Sequence, residues 1–368
     1  LLCFFGLSHY FTAPMFKLVF TGLAAGAILY LGFTAIFSKN HKIPDIKVKG
    51  SSSVYRGFFM NIINPFVMLL WVSVIATLSV GYEGESLHDR LPILFELAGS
   101  EPGGSALADA ELLVGFVTDW TRGEVAAKAF MGAELSDEQL SRVAELATRR
   151  ESREPLQHIT GQSPFRHLVL DVGPGVLVPR PETELVAEWA IDALLQVPSP
   201  SPLAVDLGTG TGALALALAT EVPHARVYAV ERFDDALVWA NRNIERLGDG
   251  RVTLVQADAA AALPDLDGTV DVVVTNPPYI PDAEKPADIE VLGYDPETAL
   301  FGGDDGLRDI RTFIQTAARL LRPGGVLVLE HGDAQGAAVR DIATDAGFRG
   351  ATTHTDLLQR ERALTAVR

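Results

Sequence analysis

The pattern of apolar and polar positions divides this chain near residue 83. Before that point apolar residues come in long blocks. Residues 15–37 carry one charge, Lys17, and residues 58–80 carry none. Each block has 23 residues, enough to cross a hydrocarbon core of about 30 Å as a helix. Residues 1–13 read as the end of a further apolar segment, and the first residue is Leu rather than Met. Two long blocks, with no small-residue cleavage site after a short one, argue against a removed signal peptide.

Beyond residue 83 the pattern becomes short-ranged. Apolar positions at helical spacing run through 109–116 and 134–150, and Ser136-Asp137-Glu138-Gln139 has the form of a capping box for the second. Apolar runs at 165–170 and 176–178 flank Gly173-Pro174-Gly175, which predicts a β-hairpin. Pro181 then suits the first turn of a helix, with acids at its N-terminus. From 202 onward, strands at 203–207, 226–231, 252–256, 270–275 and 326–330 alternate with helices at 212–221, 234–247 and 307–321. Edge strands follow near 351–353 and 363–367. The fold class is α/β: an open sheet with helices on both faces. The expected domains are a membrane-like segment, 1–82, and a linker with a small helical docking domain, 83–160. A β-hairpin linker, 161–182, then leads to the sheet domain, 183–368.

Composition sharpens the break at 83. The first 82 residues hold five Lys, one Arg and one acid; the rest hold two Lys, 22 Arg and 46 acids, a net charge of −22. So acidic a body argues against a broad nucleic-acid footprint, which needs clustered Lys and Arg. The single cysteine, Cys3, allows neither an internal disulfide nor a cysteine zinc site. His158 and His331 lack partners in any metal or nucleophile pattern and read as structural, so no metal is expected.

Candidate chemistry lies at the ends of the expected strands. Asp206-Leu207-Gly208-Thr209-Gly210-Thr211-Gly212 sits at a strand-to-helix turn, where glycines let a ligand approach the backbone. A dinucleotide fingerprint requires Gly at 213, which is Ala213, so NAD is disfavoured. The turn reads as a site for S-adenosylmethionine (SAM), with another nucleotide or a bare structural turn as alternatives. Glu231 ends the second strand, where a carboxylate can accept ribose hydroxyls. Asp258 follows the third strand and reads either as an adenine contact or as a plain N-cap.

After the fourth strand stands Asn276-Pro277-Pro278-Tyr279. A planar –NH2 is a poor nucleophile, because its lone pair is delocalised. It needs acceptors for its N–H groups and a fixed place before a methyl donor. Asn276 and the Pro277 carbonyl supply acceptors, and Tyr279 supplies a wall for the flat group. No general base is required, since the proton can leave after transfer. The stretches 294–300 and 302–306 read as a lid or a surface loop.

Residues 91–368 resemble the HemK-type family, the peptide chain release factor N5-glutamine methyltransferases. The resemblance rests on Asp109-Ala-Glu-Leu-Leu113, Glu154-Pro-Leu-Gln-His-Ile-Thr-Gly161, Pro179-Arg-Pro-Glu-Thr-Glu184, the Gly-rich turn, Asn276-Pro-Pro-Tyr-Ile280, Asp295-Pro-Glu-Thr-Ala-Leu300 and Pro323-Gly-Gly325. It implies SAM as donor and the glutamine of a Gly-Gly-Gln loop as acceptor. It also implies Gly208, Thr209, Gly210, Thr211, Gly212, Glu231, Asp258, Ala259 and Asn276 for the cofactor, and Asn276, Pro277, Pro278 and Tyr279 for glutamine and catalysis. Ala259 stands where some members carry a Trp beside the adenine, Glu231 where Asp is more usual, and His167 where a small residue is expected. The rivals are a ribosomal-protein glutamine methyltransferase and an adenine-N6 nucleic-acid methyltransferase. The first usually has Pro-Arg-Ser-Pro in place of 179–184, and the second would need a basic surface and a pocket for a flipped base. A third reading, of another class, is a membrane protein with an inert soluble body.

Residues 15–80 are similar to part of the LysE/RhtB amino-acid exporters, through Gly26-Ala-Ile-Leu-Tyr-Leu-Gly32 and Gly57-Phe-Phe-Met-Asn-Ile-Ile-Asn64-Pro65-Phe66. The basic residues of 38–57 should stay cytoplasmic. A full crossing by 58–80 would then carry the SAM chemistry outside the cell, whereas that chemistry belongs in the cytoplasm. Either 58–80 is re-entrant, or 1–82 is a transporter fragment in a chimeric reading frame; the second is the reading preferred here. Any membrane association is expected through 1–82 alone.

Overall fold

The computed structural model describes residues 106–286 and 288–368. The apolar blocks at 15–37 and 58–80, and the exporter-like stretch that holds them, lie outside the described residues. Among the described residues no helix is long and apolar enough to cross a membrane.

The helical region holds α1 (Ala106–Thr118), α2 (Arg122–Phe130), α3 (Asp137–Glu151) and α4 (Leu156–Thr160). Residues 121–136, with α2, belong to a separate compact unit. The pattern did not predict α2. It starts at a capping box in which Thr121 Oγ1 accepts from Glu124 N and the Glu124 carboxylate accepts from Thr121 N. Helix α3 begins one residue after Ser136 and buries Val143, Leu146 and Ala147. Arg150, near its end, donates to Asp109 of α1 at 2.8 Å and to Glu290 at 2.6 Å.

A hairpin follows, β1 (Gln162–Phe165) with β2 (Leu168–Asp171), in antiparallel register. It corrects the expectation that the turn lies at Gly173-Pro174-Gly175. The chain reverses at Arg166-His167, inside the run read as one strand. Arg166 takes a left-handed φ of 53°, its N–H donates to Glu184 and its guanidinium pairs with Glu221. The Gly-Pro-Gly segment instead lies against a helix. A Cβ at Gly173 would come within 2.4 Å of Trp239, whose Nε1 donates to the Pro174 carbonyl. Helix α5 (Thr183–Leu195) begins two residues after Pro181, so that proline precedes the helix rather than opening it.

The remaining elements are β3 (Leu203–Leu207), α6 (Ala213–Glu221), β4 (Arg226–Glu231), α7 (Asp234–Leu247), β5 (Val252–Gln256) and β6 (Val270–Thr275). After them come α8 (Ile289–Tyr294), α9 (Glu297–Leu300), α10 (Arg308–Leu320), β7 (Leu321–Glu330), α11 (Gly336–Asp345), β8 (Arg349–Thr355) and β9 (Glu361–Val367). The seven strands run in the order β5-β4-β3-β6-β7-β9-β8. The first five are parallel, and β9 is antiparallel to both β7 and β8. One apolar cluster gathers α5 and α6 on the sheet, and a second gathers α10 and α11. The strand order reverses between β3 and β6, and such switch points open a crevice beyond the carboxyl ends of the strands. Both the Gly-rich turn and Asn276 emerge there. Thr275 Oγ1, at the end of β6, donates to the Leu207 carbonyl at the end of β3 at 2.7 Å.

Candidate functional site

A cavity of about 390 Å³ opens at this switch point, within the range of small-molecule clefts. Its floor is the turn after β3. Gly208, Gly210 and Gly212 all take positive φ, and Asp206 braces the turn from below. One Asp206 oxygen accepts from Thr209 Oγ1 at 2.5 Å and from Ala215 N at 3.1 Å. Asp206 is fully buried, and burial pushes its carboxyl up to about 7 despite those two bonds. Asn243, also fully buried, ties the turn to its surroundings by donating to the Thr211 and Asp171 carbonyls and accepting from Asp171 N.

Glu231 closes one side. Its Oε2 accepts from Gly210 N at 3.0 Å, and Oε1 accepts from Arg232 N and Phe233 N at 2.7 and 3.0 Å. Three of roughly four acceptor sites on the carboxylate are therefore taken, and one is left for an incoming hydroxyl. Asp258 is the N-cap of a short 3-10 turn, accepting from Ala260 N at 3.0 Å, and it pairs with Arg232 at 2.9 Å. These two contacts, the backbone one first, hold its carboxyl below the usual range. Asp258 is therefore a cap, and it also lines the cavity.

Of the expected cofactor residues, Gly208, Thr209, Gly210, Thr211, Glu231, Asp258, Ala259 and Asn276 line this one cavity, whereas Gly212 lies just behind it. Asn276 and Pro278 of the tetrapeptide also line it; Pro277 and Tyr279 do not. Pro277 is buried beneath, and Tyr279 turns its ring onto the apolar cluster under α10 and α11. Burial, with the neighbouring Glu330 charge, holds the Tyr279 phenol well above its ordinary value, so it stays a donor.

Several lining residues were missed in the sequence. Val176, Arg180 and Thr183 come from the segment after the hairpin, and Phe233 and Phe313 supply aromatic surface that Ala259 cannot. Phe233 could have been found two residues past Glu231; Phe313, on α10, gave no local signal. Arg180 pairs with Asp295, joining two of the family-like segments across the cavity mouth. The 294–306 stretch is packed rather than free. Ile280 N donates to the Leu300 carbonyl and Gly302 N to the Ile280 carbonyl, each at 2.9 Å.

A family model described as a methyltransferase domain matches residues 203–360, and one described as the PrmC N-terminal domain matches 96–161. The chain is 52% identical over 264 residues to the release factor glutamine methyltransferase of Streptomyces coelicolor, across 71% of this chain and 91% of that one. It is 42% identical over 269 residues to the enzyme of the same name from Bifidobacterium longum, across 70% and 92%. The chain belongs to the release factor glutamine methyltransferase family. A further relative of this methyltransferase, from Streptomyces pristinaespiralis, is a 4-amino-L-phenylalanine/4-methylamino-L-phenylalanine methyltransferase, 45% identical over 52% of this chain and 65% of that one.

SAM is the methyl donor of this methyltransferase. The cavity has the donor set that such a ligand requires. Backbone amides of a Gly-rich turn stand at the head of α6, and a carboxylate with one vacant acceptor site ends β4. Phe233 and Phe313 add apolar surface.

Proposed function

We propose that this methyltransferase methylates N5 of the glutamine in the Gly-Gly-Gln loop of a peptide chain release factor. The observation that carries this reading is the Asn276 side chain. It lines the cavity, its Nδ2 donates to Thr183 Oγ1 at 3.3 Å, and its Oδ1 has no hydrogen-bond partner among the described residues. That oxygen is an acceptor suited to an amide N–H.

SAM, when bound, supplies a methyl group on a positively charged sulfur, already activated for transfer. The residues of this chain hold and orient. Glu231 would hold a ribose hydroxyl, the 208–211 turn would present amide groups, and Asp258 with Ala259 would border the adenine. Asn276 Oδ1 takes one N–H group of the glutamine amide, which directs its nitrogen lone pair at the methyl carbon. The new N–C bond forms as the C–S bond breaks, the sulfur keeps the electron pair, and the amide nitrogen loses its proton to water. Alignment and the exclusion of water contribute most of the rate.

The body's charge of −22 favours a protein acceptor over nucleic acid. The PrmC N-terminal match and the 179–184 segment favour a release factor over a ribosomal protein. The relative acting on 4-amino-phenylalanine is matched over less of its length, which favours the protein acceptor over a small amine. Residues 83–160 would dock that protein. Labelled methyl transfer from SAM by the full chain tests the reading. Label should enter a Gly-Gly-Gln release factor and not its Gln→Ala variant; equal labelling of the two refutes the assignment.

A further inference from the structure

Thr183 and Glu330 are 5% and 2% exposed, and neither belongs to a motif of the transfer chemistry. Thr183 Oγ1 donates to Glu330 Oε2 at 2.7 Å. A hydroxyl has one proton, and this bond uses it. Toward Asn276 the Thr183 oxygen can therefore only accept, and Asn276 Nδ2 is the group that meets it. The other Glu330 oxygen receives Tyr279 Oη at 3.4 Å. An ionised carboxylate offers acceptors only, so Glu330 sets the direction of every bond in this chain. Burial pushes the Glu330 carboxyl up to about 7, with the Glu182 charge acting the same way, against the Thr183 bond and the Arg362 charge, which favour the ionised form.

We propose that Thr183 and Glu330 are positioning residues that fix which end of the Asn276 amide meets the substrate, and so make the site select nitrogen over oxygen. The inference rests on the glutamine reading above. With Nδ2 held by Thr183, Asn276 offers Oδ1, which an amide N–H satisfies and a carboxylate does not. With the amide turned over, Nδ2 would be offered instead, and the site would favour a glutamate carboxylate or the amide oxygen. Sites built around one hydrogen-bonding pattern reject the unmatched analogue strongly, because their own polar groups are left unpaired.

The test uses the full chain at about pH 8, where Glu330 is predominantly ionised. Wild-type transfer to the Gly-Gly-Gln release factor is measured first, and its absence would fail the glutamine reading itself. Given that transfer, Thr183→Val should lower kcat by about 10- to 100-fold while the Kd for SAM stays within about twofold. Thr183→Ser, which restores the hydroxyl, should return kcat to within about threefold. The Gly-Gly-Glu release factor should compete about tenfold better against Thr183→Val than against wild type. A second readout needs neither SAM nor substrate. The Asn276 side-chain NH2 signals in 15N NMR, assigned by their loss in Asn276→Asp, should exchange with water at least about tenfold faster in Thr183→Val and in Glu330→Ala, but not in Thr183→Ser. An unchanged kcat in Thr183→Val, or equal exchange in all variants, overturns the inference.

Discussion

Gln335 Nε2 donates to the main-chain carbonyl of Tyr279 at 2.9 Å, across 56 positions of sequence. The same side chain accepts from Gly332 N at 2.9 Å through Oε1. One amide thus pins the tetrapeptide loop to the segment between β7 and α11. Gln335→Ala strands both partners, at a cost of about 1–3 kcal/mol in local order. Turnover should fall by about tenfold or more, while SAM binding measured by calorimetry stays near wild type. A matched loss in SAM affinity would show that the loop serves the cofactor instead.

Gly302 has no room for a side chain. A Cβ there would lie 2.5 Å from the Pro278 carbonyl and 2.8 Å from the Gly306 carbonyl, both main-chain atoms. Gly302→Ala should lower unfolding stability by about 1–3 kcal/mol and shift Pro278, a wall of the cavity. The urea midpoint and kcat should drop together; a variant that is wild type in both measures would contradict this packing.

Glu231→Ala removes the acceptor of three main-chain N–H groups at the cavity wall. We expect the Kd for SAM to rise by at least about 10-fold, with some loss of local order because those N–H groups lose their acceptor. Equilibrium binding of SAM reads this directly, and an unaltered Kd would remove Glu231 from the cofactor site.

Asn276→Ala deletes the acceptor placed for the target nitrogen. If that contact strengthens in the transition state, single-turnover methyl transfer should slow by about 10²–10³-fold. A rate within experimental error of wild type would exclude Asn276 from the mechanism.

Stability should depend on pH through the buried acids. Burial pushes the Glu330 carboxyl up to about 7, against about 4.3 for an unfolded chain. Between those values the folded protein holds a proton that the unfolded chain has released. Stability therefore falls as pH rises from about 4.3 to about 7 and then levels off. Asp206, also pushed up to about 7, acts in the same direction. Asp295, which burial also raises, adds to it, so Glu330→Gln should diminish but not abolish the loss in urea midpoint between about pH 5 and about pH 8. An undiminished loss would place the titration elsewhere.

Much of the sheet domain was legible because its chemistry is local. Strands at 203–207, 226–231, 252–256 and 270–275 have the bounds that their apolar runs predict, and α7 fills 234–247. The last parallel strand begins at Leu321 rather than 326: Leu321 pairs with Val270 and Val326 with Val272, and the register shifts between the two pairs, where Pro323-Gly324-Gly325 stands. The hairpin was misread for a related reason. Arg166 holds a left-handed turn through two distant acids, Glu184 and Glu221, where no glycine marks it. At the site, the turn and Asn276 announced themselves, but the groups that orient them did not. Thr183, Asn243 and Gln335 act through partners 147, 72 and 56 positions away, and no short spacing encodes such pairs.

The carboxylate that directs Asn276 stands on β7, 54 positions after it. A reading frame cut off anywhere between Ile280 and Leu329 would still spell the Gly-rich turn, Glu231 and Asn276-Pro277-Pro278-Tyr279. It would lack Glu330, and Thr183 would be free to point its proton either way. Motif inspection would pass such a fragment as a complete methyltransferase, although nothing in it would hold the amide that receives the substrate in one orientation.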